Sequence, residues 1–189
     1  MDNSLARMVS TAGHPAVLMP AAAVIASPGS LAGVALSVSL ACAVMVVAYS
    51  VYKVRRGDWA HVDASVSAER AEFNLLVGTA LLLASGALWL ADLHVAVPTV
   101  VGLSGLIVVA GHLLRRVAKL SLHVAFAVFA AFLVWPNHIA AGALAVAILG
   151  VSWSRLALRR HVAADIIVGA LAGASAGLAF HVAMSWLAA

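Results

Sequence analysis

The chemistry-bearing residues of this chain are concentrated in one dozen, Ser154 to Asp165, reading SRLALRRHVAAD within an otherwise apolar second half. His161 and Asp165 stand four apart there, with Arg155, Arg159 and Arg160 just ahead of them. The apolar segment resuming at Val162 predicts a helix that carries both side chains on one face of its first turns. A carboxylate beside an imidazole fixes its tautomer, and guanidinium groups neutralise phosphate oxygens. The free amides of a helix N-terminus add positive partial charge at the same place. These residue types at this spacing suit attack on a bound phosphate.

The dozen matches S-R-x5-H-x3-D through Ser154, Arg155, His161 and Asp165, and so resembles the third signature of the type 2 phosphatidate phosphatase (PAP2) superfamily. The second signature, P-S-G-H in most members, is similar to Leu120-Ser121-Leu122-His123, which keeps the serine and histidine and loses the proline and glycine. The resemblance implies a phosphohistidine at His161, with Asp165 holding and polarising it. It implies that His123 protonates the leaving lipid alkoxide and later activates water, and that Arg155 and the Ser121 hydroxyl bind phosphate oxygens. The scheme needs no metal or cofactor. The first signature, K-x6-R-P, is where the chain departs: Lys53 is followed by Arg55 and Arg56 but by no R-P. Substitutes are Lys53 with Arg55 or Arg70, or Lys119 with Arg115; the expectation adopted is that Lys53 and Lys119 both reach the phosphate. Isolated histidines in apolar segments are more often packing residues, and His14, His94, His112, His138 and His181 are read that way. Arg159 and Arg160 read as topology determinants or lipid contacts.

The elements that must position these groups are membrane spans. Of 189 residues, 65% are hydrophobic and 10% charged, and the mean hydropathy is +1.09. No soluble domain of this size hides that much apolar surface, so the expected fold is an all-α polytopic bundle of about six spans. The spans expected are Leu31 to Tyr52, Phe73 to Ala91, Val95 to Leu114, Ser121 to Trp135, Ile139 to Trp153 and Val162 to Leu187. A short or re-entrant apolar helix precedes them from Ala16 to Ala26, so residues 1–30 form an N-terminal segment and 31–189 the phosphatase-like domain. Asp2 near the N-terminus and Pro28 in the following break argue against a cleaved signal peptide. Pro136-Asn137-His138 predicts a tight turn. Gly169, Gly173 and Gly177 predict close approach of another helix. Cys42 is the lone cysteine and reads as a small packing residue.

The loop from Lys53 to Glu72 carries most of the acidic residues, and Trp59 in it is expected at headgroup level. Asp58, Asp63, Glu69 and Glu72 read as partners in a salt-bridged loop rather than as a cation site. Two spans separate this loop from the Arg115–Lys119 connection and two more lead to Arg155, so all three segments are expected on one membrane face. All Lys and Arg but Arg7 fall in them, which by the positive-inside rule makes that face cytoplasmic, in a bacterial inner membrane. The net charge of +4 is read as topology and lipid attraction, not nucleic-acid binding. The functional expectation is a lipid phosphatase acting on a membrane lipid phosphate of phosphatidate, phosphatidylglycerophosphate or polyprenyl phosphate type. The rivals are a phosphotransferase with the same nucleophile, a proton-coupled transporter, and a silent lipid-binding relative. A homo-oligomer is compatible with the chain.

Overall fold

The computed structural model describes residues 3–64, 66–135 and 137–187; Asp2, and Pro136 of the expected turn, lie outside them. The described residues form eight α-helices and no strand. They are α1 (Ser4–Ala12), α2 (Pro15–Ala26), α3 (Leu31–Arg55), α4 (Ser67–Leu90), α5 (Ala96–Leu113), α6 (Leu122–Val134), α7 (His138–Ala157) and α8 (Ala163–Leu187). Among them α3, α4, α5, α7 and α8 are long and apolar enough to cross a membrane. The protein is an integral-membrane helical bundle.

The segment at the centre is α6, which carries no charged residue and packs against α2, α5, α7 and α8. A helix apolar all round belongs inside, and Val124, Ala125, Ala127, Phe129 and Ala130 are fully buried. Its 13 residues cover about 20 Å, against roughly 30 Å of hydrocarbon. The fourth expected span is thus a short central helix.

The glycine register of α8 sets its distance from α6. A Cβ on Gly169 would stand 2.6 Å from the Ser121 carbonyl oxygen, and one on Gly173 or Gly177 would overlap the Ala125 carbonyl or the Phe132 ring. The N-terminus differs from the single short helix expected: α1 and α2 form a pair bent by 42° at Gly13-His14. Pro15 at the first position of α2 explains the new start, since it lacks the N–H that would continue α1. α1 packs on α7, and α2 on α3 and α6.

A candidate phosphate-binding site at one end of the bundle

The site is built at the link between α7 and α8. Arg159 adopts a left-handed conformation with φ 52°, which lets the amides of Arg160 and His161 turn back onto the Arg155 carbonyl at 3.0 and 3.3 Å. That turn folds His161 over the start of α8. Asp165, in the first turn of α8, accepts from the backbone N–H of Val162 at 3.1 Å, as acidic residues at helix starts do. It also accepts from the backbone N–H of Lys119 at 3.0 Å, and its own carbonyl accepts from Ser121 N at 3.2 Å. One aspartate therefore ties the start of α8 to the irregular segment ahead of α6.

His161 Nδ1 faces two acceptors, the Lys119 carbonyl at 3.1 Å and Asp165 Oδ2 at 3.3 Å. A nitrogen between two acceptors must carry the proton, which leaves the lone pair on Nε2. Burial, and after it the positive charges of Arg155 and Lys119, push the His161 pKa down to about 4 against the pull of Asp165. At neutral pH the ring is an uncharged base with a defined nucleophilic nitrogen.

His161 lines a cavity of about 720 Å³. At its polar end stand Arg70, Lys119, Arg155, Arg160, His123 and Asp63, contributed by all three polar segments and by α4, α6 and α7. The three polar segments thus converge on one cavity. Lys119 Nζ donates to the Arg160 carbonyl at 2.7 Å, and burial followed by the charge of Arg70 lowers its pKa. Arg155 is 4% exposed; its Nη1 donates to Ser10 Oγ at 2.9 Å, and its Nε, equally buried, has no hydrogen-bond acceptor among the described residues. From this cationic end the cavity runs along α4 from Arg70 to Leu81, about 16 Å at about 1.5 Å per residue. There Met19, Val77, Leu81, Val101 and Phe126 form an apolar wall. A headgroup end and a tail end are continuous.

Three of the expected phosphate ligands sit elsewhere. Lys53 pairs with Asp58 at 2.8 Å and Glu72 at 3.1 Å, off the cavity wall, because the loop acids claim it first. Arg115 points outward, its Nη1 donating to the His112 carbonyl at 2.8 Å. Ser121 is wholly buried behind the wall with its hydroxyl unpartnered. Trp59, expected to face lipid headgroups, turns into the protein. It is 4% exposed, packs edge to face on Tyr49 and Phe73 and donates its indole N–H to Glu72 at 3.1 Å. Burying so large a ring is favourable once its polar tip has a partner.

Other residues reach the site without a local sequence signal. Asp63 contacts Arg160 and stands 3.7 Å from Arg155 Nη1, so one acid of the salt-bridged loop lies among the cavity cations. Arg160, read as a topology determinant or lipid contact, lines the cavity. His14 lines it as well and packs on His123. His112 and His181 do behave as packing residues, bonding the Ala71 and Phe132 carbonyls at 2.9 Å each.

No family model, no curated protein and no solved structure matches the chain. Chemically, the arrangement holds a neutral imidazole and several cations against one pole of an amphiphile-shaped cavity, with a second imidazole alongside.

Proposed function

We propose that the chain is an integral-membrane lipid phosphatase of PAP2 type, hydrolysing a phosphate monoester or diphosphate through a phosphohistidine at His161. The observation that carries this reading is the His161 ring itself: Nδ1 is committed to Asp165 and the Lys119 carbonyl, and Nε2 is left with its lone pair beside a cationic cavity. In the first step Nε2 attacks phosphorus, the bond from phosphorus to the lipid oxygen breaks, and His123 gives that oxygen a proton. In the second, water attacks the phosphohistidine, its proton passes to His123, the N–P bond breaks and phosphate leaves. Arg155, Lys119, Arg70 and Arg160 hold the phosphoryl oxygens.

A membrane-anchored substrate is supported by the cavity, whose apolar length takes a chain while its cationic end takes the headgroup. A proton relay is less well supported, because the charged residues and histidines stand at one end and the deeper lining carries none. The reading includes a bacterial inner membrane, and the Lys and Arg distribution supports a site on its cytoplasmic side. An Arg159→Cys variant in a Cys42→Ala background should resist an impermeant thiol reagent in intact cells; labelling there would reverse the orientation. The activity is tested by orthophosphate release from a panel of detergent-solubilised lipid phosphates, in EDTA. Release by the wild type that vanishes in His161→Ala is expected; release that survives the substitution contradicts the reading.

A further inference from the structure

A second imidazole meets His123 at the polar end of the cavity. The rings of His14 and His123 pack edge to face, centroids 5.0 Å apart and planes at 87°, and both line the cavity. The backbone N–H of Ala16 donates to His14 Nδ1 at 3.1 Å. Neutral His14 therefore carries its proton on Nε2, a defined tautomer. The aromatic contact with His14 gives the His123 ring an oriented neighbour.

The bend that carries His14 is anchored on both sides. A Cβ on Gly13 would overlap the Val151 side chain, so the backbone there lies directly on α7. One turn earlier, Ser10 accepts from the same Arg155 that lines the cavity. The N-cap of α2 does not by itself call for histidine. Asn137 caps α7 through its side-chain oxygen, accepting from Ala140 N at 3.1 Å, and asparagine is among the preferred caps. What histidine adds at position 14 is a ring that reaches His123.

We infer that His14 is a positioning residue: its ring holds the His123 imidazole in the orientation that delivers a proton to the leaving lipid oxygen. This rests on the phosphatase reading above. The prediction is specific to the leaving group, because an alkoxide must be protonated as its bond to phosphorus breaks, whereas a nitrophenolate leaves without a proton. Misorienting His123 slows the first step for an alkyl phosphate and leaves it unchanged for an aryl phosphate.

The test uses the whole chain in detergent with dodecyl phosphate and p-nitrophenyl phosphate. His14→Asn keeps the cap and removes the ring; His14→Phe keeps a ring and removes the cap. His14→Asn should lower kcat on dodecyl phosphate on the order of 10-fold at unchanged KM. Its first turnover of p-nitrophenyl phosphate should stay at the wild-type rate, and His14→Phe should recover part of the dodecyl phosphate rate. Equal losses on both substrates, or no loss on either, would overturn the positioning role while leaving the phosphatase reading intact. A wild type that hydrolyses neither substrate would overturn the phosphatase reading, and the role with it.

Discussion

Asp165→Asn isolates the group that defines the His161 tautomer. The carboxylate accepts three hydrogen bonds, from Lys119 N at 3.0 Å, Val162 N at 3.1 Å and His161 Nδ1 at 3.3 Å. Lys119 N uses Oδ1, and the other two donors share Oδ2. An amide of the same shape must turn its NH2 toward one side. Facing Lys119 it meets a backbone donor. Facing His161 it meets Nδ1–H and favours moving the proton to Nε2, which removes the nucleophilic lone pair. In either rotamer the negative charge that balances a phosphorylated, cationic imidazole is gone. Breaking a buried charge partnership of this kind costs about 3–5 kcal/mol, and if that loss falls on the transition state, kcat drops on the order of 10²–10⁴-fold. The assay is phosphate release at saturating substrate, with thermal melting of the detergent-solubilised protein alongside to separate turnover from folding. A folded Asp165→Asn protein within about 3-fold of the wild-type kcat, under 1 kcal/mol by the same conversion, would refute the reasoning.

Acid should reach the nucleophile late. The His161 pKa lies near 4, so the lone pair is present above that pH and lost as pH falls through it. The rate of p-nitrophenol release in the first turnover should hold from pH 7 to about 5 and decline near 4; a decline centred on the ordinary histidine value of about 6.5 would contradict the buried, cation-flanked site. Asp63→Asn removes a carboxylate that contacts Arg160 and approaches Arg155, so competitive inhibition by orthophosphate should tighten on the order of 3–10-fold. Weaker inhibition would mean that Asp63 orders the cations rather than competing for them. Gly173→Ala places a Cβ on the Ala125 carbonyl and should destabilise the α6–α8 contact by about 1–3 kcal/mol. Gly33→Ala, with open space around its Cβ position, should leave the melting temperature unchanged or raise it slightly.

What was legible in the sequence is what local order determines. Apolar runs ending at charges located the long helices to within a few residues, except that α4 starts at Ser67, because the polar Ser67–Glu72 turns extend it beyond the apolar run. The four-residue spacing pointed to the His161–Asp165 pairing but not to its cause: α8 begins only at Ala163, so His161 lies in the link ahead of it, and the left-handed turn at Arg159, not a shared helical face, lays its ring on Asp165. The close face of α8 was legible from its glycine register. Of the cations at the cavity, Arg155 and Lys119 were legible and Arg160 was not, nor was the diversion of Lys53, because cations choose among acids that the chain brings together only on folding. Lys53 met Glu72 and Asp58, whereas Arg160 met Asp63. His14 was unreadable for a related reason: its partner His123 lies on a helix remote in sequence, and a histidine in a short apolar stretch carries no signal of which ring it will face. Trp59 turned inward because Glu72, Tyr49 and Phe73 offered its indole both a hydrogen-bond acceptor and a packing surface.

The most direct test of the central claim is to look for the phosphoenzyme. The protein is mixed with a lipid phosphate carrying a radioactive phosphoryl group and quenched in alkali, and the label is mapped by peptide. The account predicts an alkali-stable, acid-labile phosphoramidate on His161 that is absent from His161→Ala; with labelled p-nitrophenyl phosphate, whose leaving group needs no acid, it accumulates in His123→Ala because its hydrolysis lacks a base. Phosphate turnover with no label on His161 in either the wild type or His123→Ala, or label on another residue, would contradict it.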